Sequence, residues 1–534
     1  MHWADVLAKE LAARGSRHVI ATAITPSGPI HVGNLREVLT ADAVHRAVTD
    51  LGCDCELVYI ADSYDPLRKV YPFLDAATYA EHVGKPLCDI PCPCGSHASY
   101  AEHFLEPFFA ALAELGVHPR VLRAHEMYRE GQYLEATKTA MDSAARIRDV
   151  MLTVAKREGK LPQNWIPFNI QCERCGRLNA PVPTLYEYPY IEYACSAIDK
   201  AGHQLGCGHE GRKDVRTPGG GKLPWRVDWP ARWSFLDVTF EAFGKDHAAA
   251  GSSWDTGQVI ARDVYGIEPP LHTVYEFVQV KGVGAMHSST GTAVSSTEML
   301  AMTPPEVLRF LFLRYEPGKH IDFETGTWIL DLVETYDRWE RAFHTGGEAA
   351  RNDPQFKEID RVYELSQPDG KVPPRLPAQV PYSHLVLLAQ LAPDWAGVRS
   401  VLRRSEAVDD LDADDERRLR ERVRHARYWL DRFAPEDART SVQVALPPTA
   451  ARLGPNERRF LASLRQALGD ARWTGQAIHD AVHGTSKEAG LRGSDAFRAI
   501  YVAFLGKERG PRAGHLLASL ERDFVLKRLE EASA

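Results

Sequence analysis

The sequence predicts an α/β fold: a Rossmann-like parallel sheet, interrupted by a small zinc-knuckle insert and followed by an all-α carboxyl-terminal region. Three observations carry this. Residues from about 15 to 75 read as strand, helix, strand. Residues 168–221 are rich in cysteine and glycine. Beyond about residue 327, strand signals give way to Leu, Ala, Glu and Arg.

The first strand is expected over His18–Ile24, a short apolar run rich in β-branched residues and suited to a buried parallel strand. It enters Pro26-Ser27-Gly28-Pro29-Ile30-His31-Val32-Gly33-Asn34. Apolar residues then recur at Leu35, Val38, Leu39, Ala43 and Ala47, the spacing of one helix face. The unit is a strand, a tight Gly/Pro loop and a helix with a histidine at its mouth. Such a loop sets backbone N–H groups and an imidazole against a polyphosphate, and Gly28 and Gly33 permit close approach. The second strand, Glu56–Ala61, ends at Asp62-Ser63-Tyr64-Asp65-Pro66. Polar residues at two parallel carboxyl ends suggest a ligand crevice above them. Residues from about 100 to 160 are mostly helical in pattern, and strand–helix alternation resumes from Trp225 to about Gly326. The expected divisions are 1–167, 168–221, 222–326 and 327–534, with Asp353–Pro381 as a linker candidate.

Composition narrows the class. The 534 residues are 44% hydrophobic and 25% charged, the balance of a soluble globular protein. No stretch approaches the ~18 uncharged apolar residues of a membrane span. Met1-His2-Trp3-Ala4-Asp5 lacks a signal-peptide pattern. A cytoplasmic protein with no membrane partner is expected. The net charge of −8 excludes a uniformly basic nucleic-acid binder but allows a local basic track.

Nine cysteines, an odd number, do not make a disulfide scaffold, and in a reducing compartment clustered cysteines mark metal. Cys172-Glu173-Arg174-Cys175 is a CxxC knuckle, followed by Cys195 and Cys207-Gly208-His209. Two sulfurs on a tight turn with later Cys/His partners suit tetrahedral zinc. With Cys207 as third ligand, the fourth is open between Cys195 and His209. Free thiols in a small β domain are the alternative. A second group, Cys88, Cys92, Cys94 and His97, has looser spacing and fits either a metal site or a Pro-rich loop with buried thiols.

Further segments follow in order: Trp229-Pro230-Ala231-Arg232-Trp233, Gly244-Lys245-Asp246-His247, Gly251–Gly257, Met286-His287-Ser288-Ser289-Thr290, and Thr303-Pro304-Pro305-Glu306. Together they resemble the class I lysyl-tRNA synthetases, over most of the chain and most strongly from about 20 to 330. The resemblance implies ATP- and Mg²⁺-dependent activation of L-lysine to lysyl-adenylate, then transfer to tRNA(Lys). Pro26–Asn34 resembles the HIGH signature, with His31 at its first histidine and Asn34 replacing the second. Pro26, Ser27, Gly28, His31, Gly33 and Asn34 would then meet ATP, with His31 and Asn34 serving catalysis. Gly244 and Asp246 would hold adenosine, although Asp246 also suits a helix N-cap. Thr25, Glu37, Trp233, His247 and Tyr275 match positions around the amino acid: a carboxylate for the ammonium and aromatic walls for the stem. Core packing is the alternative for each.

One signature departs from the family. Lys-Met-Ser-Ser-Ser-Lys is common there; here Ala285-Met286-His287-Ser288-Ser289-Thr290 stands, and both lysines are missing. Losing a charged phosphate contact costs several kcal/mol in a transition state. Lys281 is expected to compensate. Met286, His287, Ser288 and Ser289 would still contact ATP, and the two serines would keep a catalytic role. An active loop variant is expected, because the other segments are intact.

The resemblance places an all-helical anticodon-binding region at 327–534. The arginine run of Asp412–Arg432 fits either an RNA-facing stripe or a self-paired solvated face. A monomer is the default expectation. Two other classes stay open: a tRNA-independent lysine-activating paralogue and a non-catalytic tRNA-binding relative.

Overall fold

The computed structural model describes residues 1–156, 161, 165–198, 204–280, 284–285, 294–405, 408 and 411–534. Its centre is a five-stranded sheet of β1 (Arg17–Ile24), β2 (Asp54–Ala61), β3 (Arg120–Arg123), β4 (Phe240–Gly244) and β5 (Leu271–Tyr275). All neighbours are parallel, in the order β5-β4-β1-β2-β3. β1 and β4 are almost wholly buried, which explains their near-continuous apolar runs. The chain leaves β1 towards β2 and β3, while β4 and β5 lie on the other side. The order therefore reverses between β1 and β4, where an open α/β sheet leaves a crevice beyond its carboxyl ends.

The expected helical stretch from about 100 to 160 contains Tyr100–Glu114, Ala124–Arg129, Leu134–Asp142 and Ala144–Thr153, but also β3. That strand is four residues long, at the sheet edge and only partly buried, so it carries no period to read. Asn169–Ile170 pairs antiparallel with Gly221–Lys222, closing the base of the cysteine-rich insert. Inside it, Pro181–Glu187, Tyr190–Cys195 and Glu210–Asp214 form an antiparallel sheet.

The chain divides into two compact units. The first comprises Met1–Met299, Arg309–Phe323 and Glu364–Lys371; the second comprises Leu300–Leu308, Glu324–Tyr363 and Val372–Ala534. Among the described residues the second unit contains no strand. Its helices bury Phe460, Leu464, Ile478, Ile500, Phe504 and Leu529 in one core. The linker expectation for Asp353–Pro381 is corrected, because the helix Ile359–Ser366 occupies its middle. Ile359, Val362 and Tyr363 recur at helical spacing and are buried; Pro and Gly accumulate only beyond Gln367.

The arginine run shows the expected self-paired face only in part. On the helix Ala413–Arg432, Arg418 and Arg422 turn inward to acids of the helix Trp328–Thr345. Arg422 grips Asp337 at 2.7 and 3.0 Å, and Arg418 meets Glu340 at 2.9 Å. Outward, Arg417 pairs with Asp414 and Arg424 with Glu421. A charge pattern alone does not show which carboxylates a neighbouring helix supplies. Among the described residues, no helix is long and apolar enough to cross a membrane.

Candidate active site

Beyond the carboxyl ends of β1, β2, β4 and β5 lies a cavity of about 700 Å³. β1 leads into it with Thr25, the following loop with Ser27 and His31, and the helix Val32–Asp50 with Gly33, Asn34 and Glu37. The ends of β2, β4 and β5 add Asp62, Asp65, Asp246, His247 and Tyr275. His31 is the extended N-cap of the helix, and Asn34 Oδ1 accepts from its backbone N–H at 3.2 Å. The first turn of this 19-residue helix thus faces the cavity with its positive end. Ser252 and Ser253, at the start of the helix Ser253–Asp263, also line it. Two helix N-termini on one cavity suit a polyanion.

Lys281, Met286, His287, Ser288 and Ser289 lie outside the described residues. Their flanks are anchored. Gly284–Ala285 pairs antiparallel with Val278–Val280. On the other side, Val294 O accepts from Val32 N at 3.0 Å, Ser295 bridges to His31, and Ser296 donates to Ile30 O. The variant signature is therefore tied to the first signature at its exit. Arg36, buried in the same helix, donates to the carbonyls of Glu276 and Pro317 at 2.8 and 2.9 Å and also to that of Lys319.

Glu37 is the cavity's acid. Its Oε1 accepts from Thr22 Oγ1 at 2.7 Å and Ala23 N at 3.0 Å, and its Oε2 from Tyr275 Oη at 2.7 Å. Burial pushes its pKa up to about 7, against the pull of these hydrogen bonds. Trp225, Trp229 and Trp233 recur every fourth residue on the helix Trp225–Phe235 and form a stack, with centroids 5.3 and 5.0 Å apart. Of the three, only Trp225 lines the cavity. Trp233 is 1% exposed and donates to Glu241 Oε2 at 2.6 Å. The lysine-pocket expectation for Trp233 is therefore corrected: two turns of helix carry it into the core, and Trp225 is the tryptophan that lines the cavity. Trp225→Ala should raise the KM for lysine about tenfold. Trp233→Phe should leave that KM unchanged and cost about 1 kcal/mol of stability, because Glu241 Oε2 loses one of its two indole N–H donors and keeps that of Trp229 at 3.0 Å. Steady-state exchange kinetics and denaturant melts separate the two.

His247 sits 5.8 and 5.6 Å from the rings of Trp225 and Trp229. Burial lowers its pKa, opposed by Asp246 at 3.7 Å, which favours the neutral imidazole. Asp246 is exposed at the rim, and Ser252, not Asp246, holds the N-cap position of the following helix, its hydroxyl donating to the Asp246 carbonyl at 2.8 Å. A Cβ at Gly244 would meet Asp246 Oδ1 at 2.6 Å, so any larger residue there would turn the exposed Asp246 carboxylate aside.

Beneath the cavity is a buried charge network. Thr25 Oγ1 donates to Asp65 Oδ2 at 3.1 Å, and Lys222 Nζ meets Asp65 at 2.5 Å. Arg232, fully buried, reaches Asp62 at 2.7 Å and Asp228 at 2.6 Å, and Tyr128 and Tyr133 also donate to Asp228. Burial raises the Asp62 pKa despite Arg232. For Asp228 burial opposes ionisation, but Arg232 and Lys222 hold it below the usual carboxylate range.

In the insert, the sulfurs of Cys172, Cys175, Cys195 and Cys207 converge. Cys172 and Cys207 are 3.8 Å apart, Cys175 and Cys195 3.7 Å. Tetrahedral zinc with ~2.3 Å bonds to sulfur requires S···S separations of about 3.8 Å, so the donor set fits. His209 is corrected as a ligand candidate: it lies outside the group, with Nε2 3.8 Å from Glu173. The hairpin register brings Cys195 inward instead. Cys88 likewise leaves the second group and contacts Asp89.

Comparison with known proteins places this geometry. Residues 1–369 match the family model of class I (K) tRNA synthetases. The chain belongs to the class I (K) tRNA synthetases. Residues 428–533 match an anticodon binding domain. A lysine–tRNA ligase of Methanosarcina acetivorans is 42% identical, the alignment covering all of this chain and 98% of that one. A lysine–tRNA ligase of Archaeoglobus fulgidus is also 42% identical, over the whole of both chains.

In this class I (K) synthetase, Thr25, Ser27, His31, Gly33, Asn34, Glu37, Asp246, His247 and Tyr275 meet at one cavity, whereas Pro26, Gly28 and Gly244 are not among its lining residues. Sequence reasoning set Asp62 and Asp65 at a strand's carboxyl end below the crevice but gave them no role, and it overlooked Trp225 as a lining residue. Trp225 carried none beyond its four-residue spacing from Trp229.

Proposed function

We propose that this synthetase is a lysine–tRNA ligase. The supporting observation is end-to-end similarity to enzymes of that name, and Glu37 at the cavity supplies a physical reason for the amino acid. A lysine carboxylate oxygen attacks the α-phosphorus of ATP. The bond to the bridging oxygen breaks and diphosphate leaves with the electron pair. A terminal ribose hydroxyl of tRNA(Lys) then attacks the carbonyl of lysyl-adenylate, and AMP leaves. Mg²⁺ on the phosphates would offset charge on the leaving diphosphate. The protein's share is positioning and charge stabilisation.

His31 and the N–H groups at Gly33 and Asn34 hold the phosphates, with Ser288, Ser289 and Lys281 acting on the diphosphate side. Asp246 accepts from the ribose. Thr25, fixed by Asp65, faces the α-amino group. Glu37 takes the side-chain ammonium, with Trp225 and Tyr275 along the stem. Zinc on Cys172, Cys175, Cys195 and Cys207 would brace an insert too small to bury a core of its own. Chelating it should expose residues 168–221 to limited proteolysis while the carboxyl-terminal helical region stays resistant. The helical region, with its anticodon-binding match, would engage tRNA(Lys), and a monomeric, cytoplasmic enzyme is the simplest reading.

The test is ATP–pyrophosphate exchange across the common amino acids, with and without tRNA(Lys), followed by charging. Lysine-specific exchange and charging support the ligase. Exchange without charging favours a tRNA-independent paralogue. No exchange from folded, tRNA-binding protein favours the non-catalytic relative, to which the altered signature points.

A further inference from the structure

The base of the cysteine-rich insert reaches the cavity through buried polar contacts. Lys222 closes the insert by pairing with Asn169, and only 3% of its side chain is exposed. Its Nζ lies 2.5 Å from Asp65 Oδ1, and Asp65 Oδ2 accepts from Thr25 Oγ1 at 3.1 Å. Thr25 and Asp65 line the cavity; Lys222 is not among the lining residues. We propose that Lys222 is a positioning residue for selection of the substrate's α-ammonium, acting through Asp65 on the Thr25 hydroxyl. The inference rests on reading the cavity as an amino-acid site.

Donor counts decide which way Thr25 faces. An ammonium only donates, so its partner on Asp65 is an accepting oxygen; a hydroxyl has one hydrogen to give and lone pairs to receive with. Lys222 occupies one carboxylate oxygen and leaves the other to accept from Thr25. With its hydrogen committed to Asp65, Thr25 Oγ1 meets the cavity as an acceptor. An α-ammonium fits that oxygen, whereas an α-keto oxygen or a methylene does not. Charge points the same way. Asp62, Asp65 and Asp228 face Lys222 and Arg232, three carboxylates to two cations. Asp62 and Asp65 line the cavity, so a bound α-ammonium evens the count. Burial opposes the Lys222 ammonium, but Asp65, Asp228 and Asp62 hold its pKa above the usual lysine value.

The insert also fixes the residue before Asp65. Tyr64 Oη lies 2.7 Å from Gln171 Oε1 and 3.0 Å from the Gly219 carbonyl, one on each arm of the insert's base. Gln171 Nε2 in turn donates to the Gly176 carbonyl, beside the CxxC turn, at 3.2 Å. The end of β2 is thus held by the insert at two consecutive residues, and Lys222 is the contact that carries charge.

The experiment titrates the full-length chain by calorimetry with L-lysine and with 6-aminohexanoic acid. The second compound keeps the carboxylate and the side-chain ammonium and lacks only the α-amino group. The parent should bind lysine about 100-fold more tightly. Lys222→Met should weaken lysine about tenfold and leave 6-aminohexanoic acid within about twofold. Asp65→Asn covers the case in which Lys222→Met fails to fold, because it leaves as many cations as carboxylates in the network. There Lys222 holds the amide oxygen, the amide N–H turns to Thr25, and the threonine hydrogen turns to the cavity. Lysine affinity should again fall about tenfold, with 6-aminohexanoic acid unchanged. Equal weakening of both compounds, the mark of a merely structural contact, overturns the proposal. So does parental lysine affinity in either folded variant, or equal parental affinity for the two compounds, and both results spare the ligase reading. A parent that binds neither compound overturns the two together.

Discussion

Glu37→Gln raises the KM for lysine about 100-fold and leaves the KM for ATP within about twofold. The magnitude follows from losing a charge-assisted contact in a dry pocket, about 2–5 kcal/mol. The isostere keeps the shape and removes only the charge. Burial holds the Glu37 pKa at about 7, against an ordinary 4.5. Between those values the folded chain keeps a proton that the unfolded chain has released. Stability therefore falls as pH rises through that window, by on the order of 3 kcal/mol in all. The amide is never charged, so Glu37→Gln should melt no lower than the parent at pH 8. A merely structural carboxylate would show the opposite: normal lysine kinetics and a lowered melting point. Because only the ionised acid attracts the ammonium, kcat/KM for lysine should rise with pH through about 7, and the rise should vanish in Glu37→Gln. ATP–pyrophosphate exchange across that range checks both.

Arg232→Met destabilises the first unit by about 3–5 kcal/mol. Arg232 is fully buried between Asp62 and Asp228, and its removal strands carboxylates away from water. The remaining cation, Lys222, is 2.5 Å from Asp65 but 3.8 Å from Asp228. It cannot take over both contacts. Adding Asp228→Asn to Arg232→Met should recover part of the loss, because the orphaned charge goes with it. Denaturant melts of the two variants measure this, and a parental midpoint in Arg232→Met would sink the account. Asp62 and Asp65 both line the cavity, so the network also sets the electrostatic floor on which substrates rest.

The contrast between these groups and the first signature shows what a sequence carries. The strand, loop and helix of residues 17–50 are contiguous; their periods, prolines and glycines act over a few residues and can be read directly. His31 at the helix mouth followed from that reading. The CxxC turn at Cys172 and Cys175 is equally local. By contrast, the fourth ligand was ambiguous because a hairpin register decides whether Cys195 or His209 faces inward. In the second group His103, not Cys88, joins Cys92, Cys94 and His97, and it was overlooked because the helix that returns it lies beyond the spacing of a knuckle.

The sequence by itself determined the parallel α/β core, the cysteine-rich insert, the helical second half and the family signatures, since each is written in short-range periodicity or contiguous motifs. Tertiary structure decided which of those residues meet. Glu37 and Tyr275 are 238 positions apart, and Asp65 and Lys222 are 157 apart. Only the packing of β5 beside the helix Val32–Asp50, and of the insert's base against the end of β2, brings them together. The same holds for the tryptophans: a four-residue spacing puts three indoles on one helix face, but only the tilt of that helix leaves Trp225 at the cavity and buries Trp233. Local pattern specifies elements through steric and hydrogen-bond preferences within a turn. The pKa of a carboxylate, the partner of an arginine and the wall of a pocket depend on burial, which only the folded chain sets.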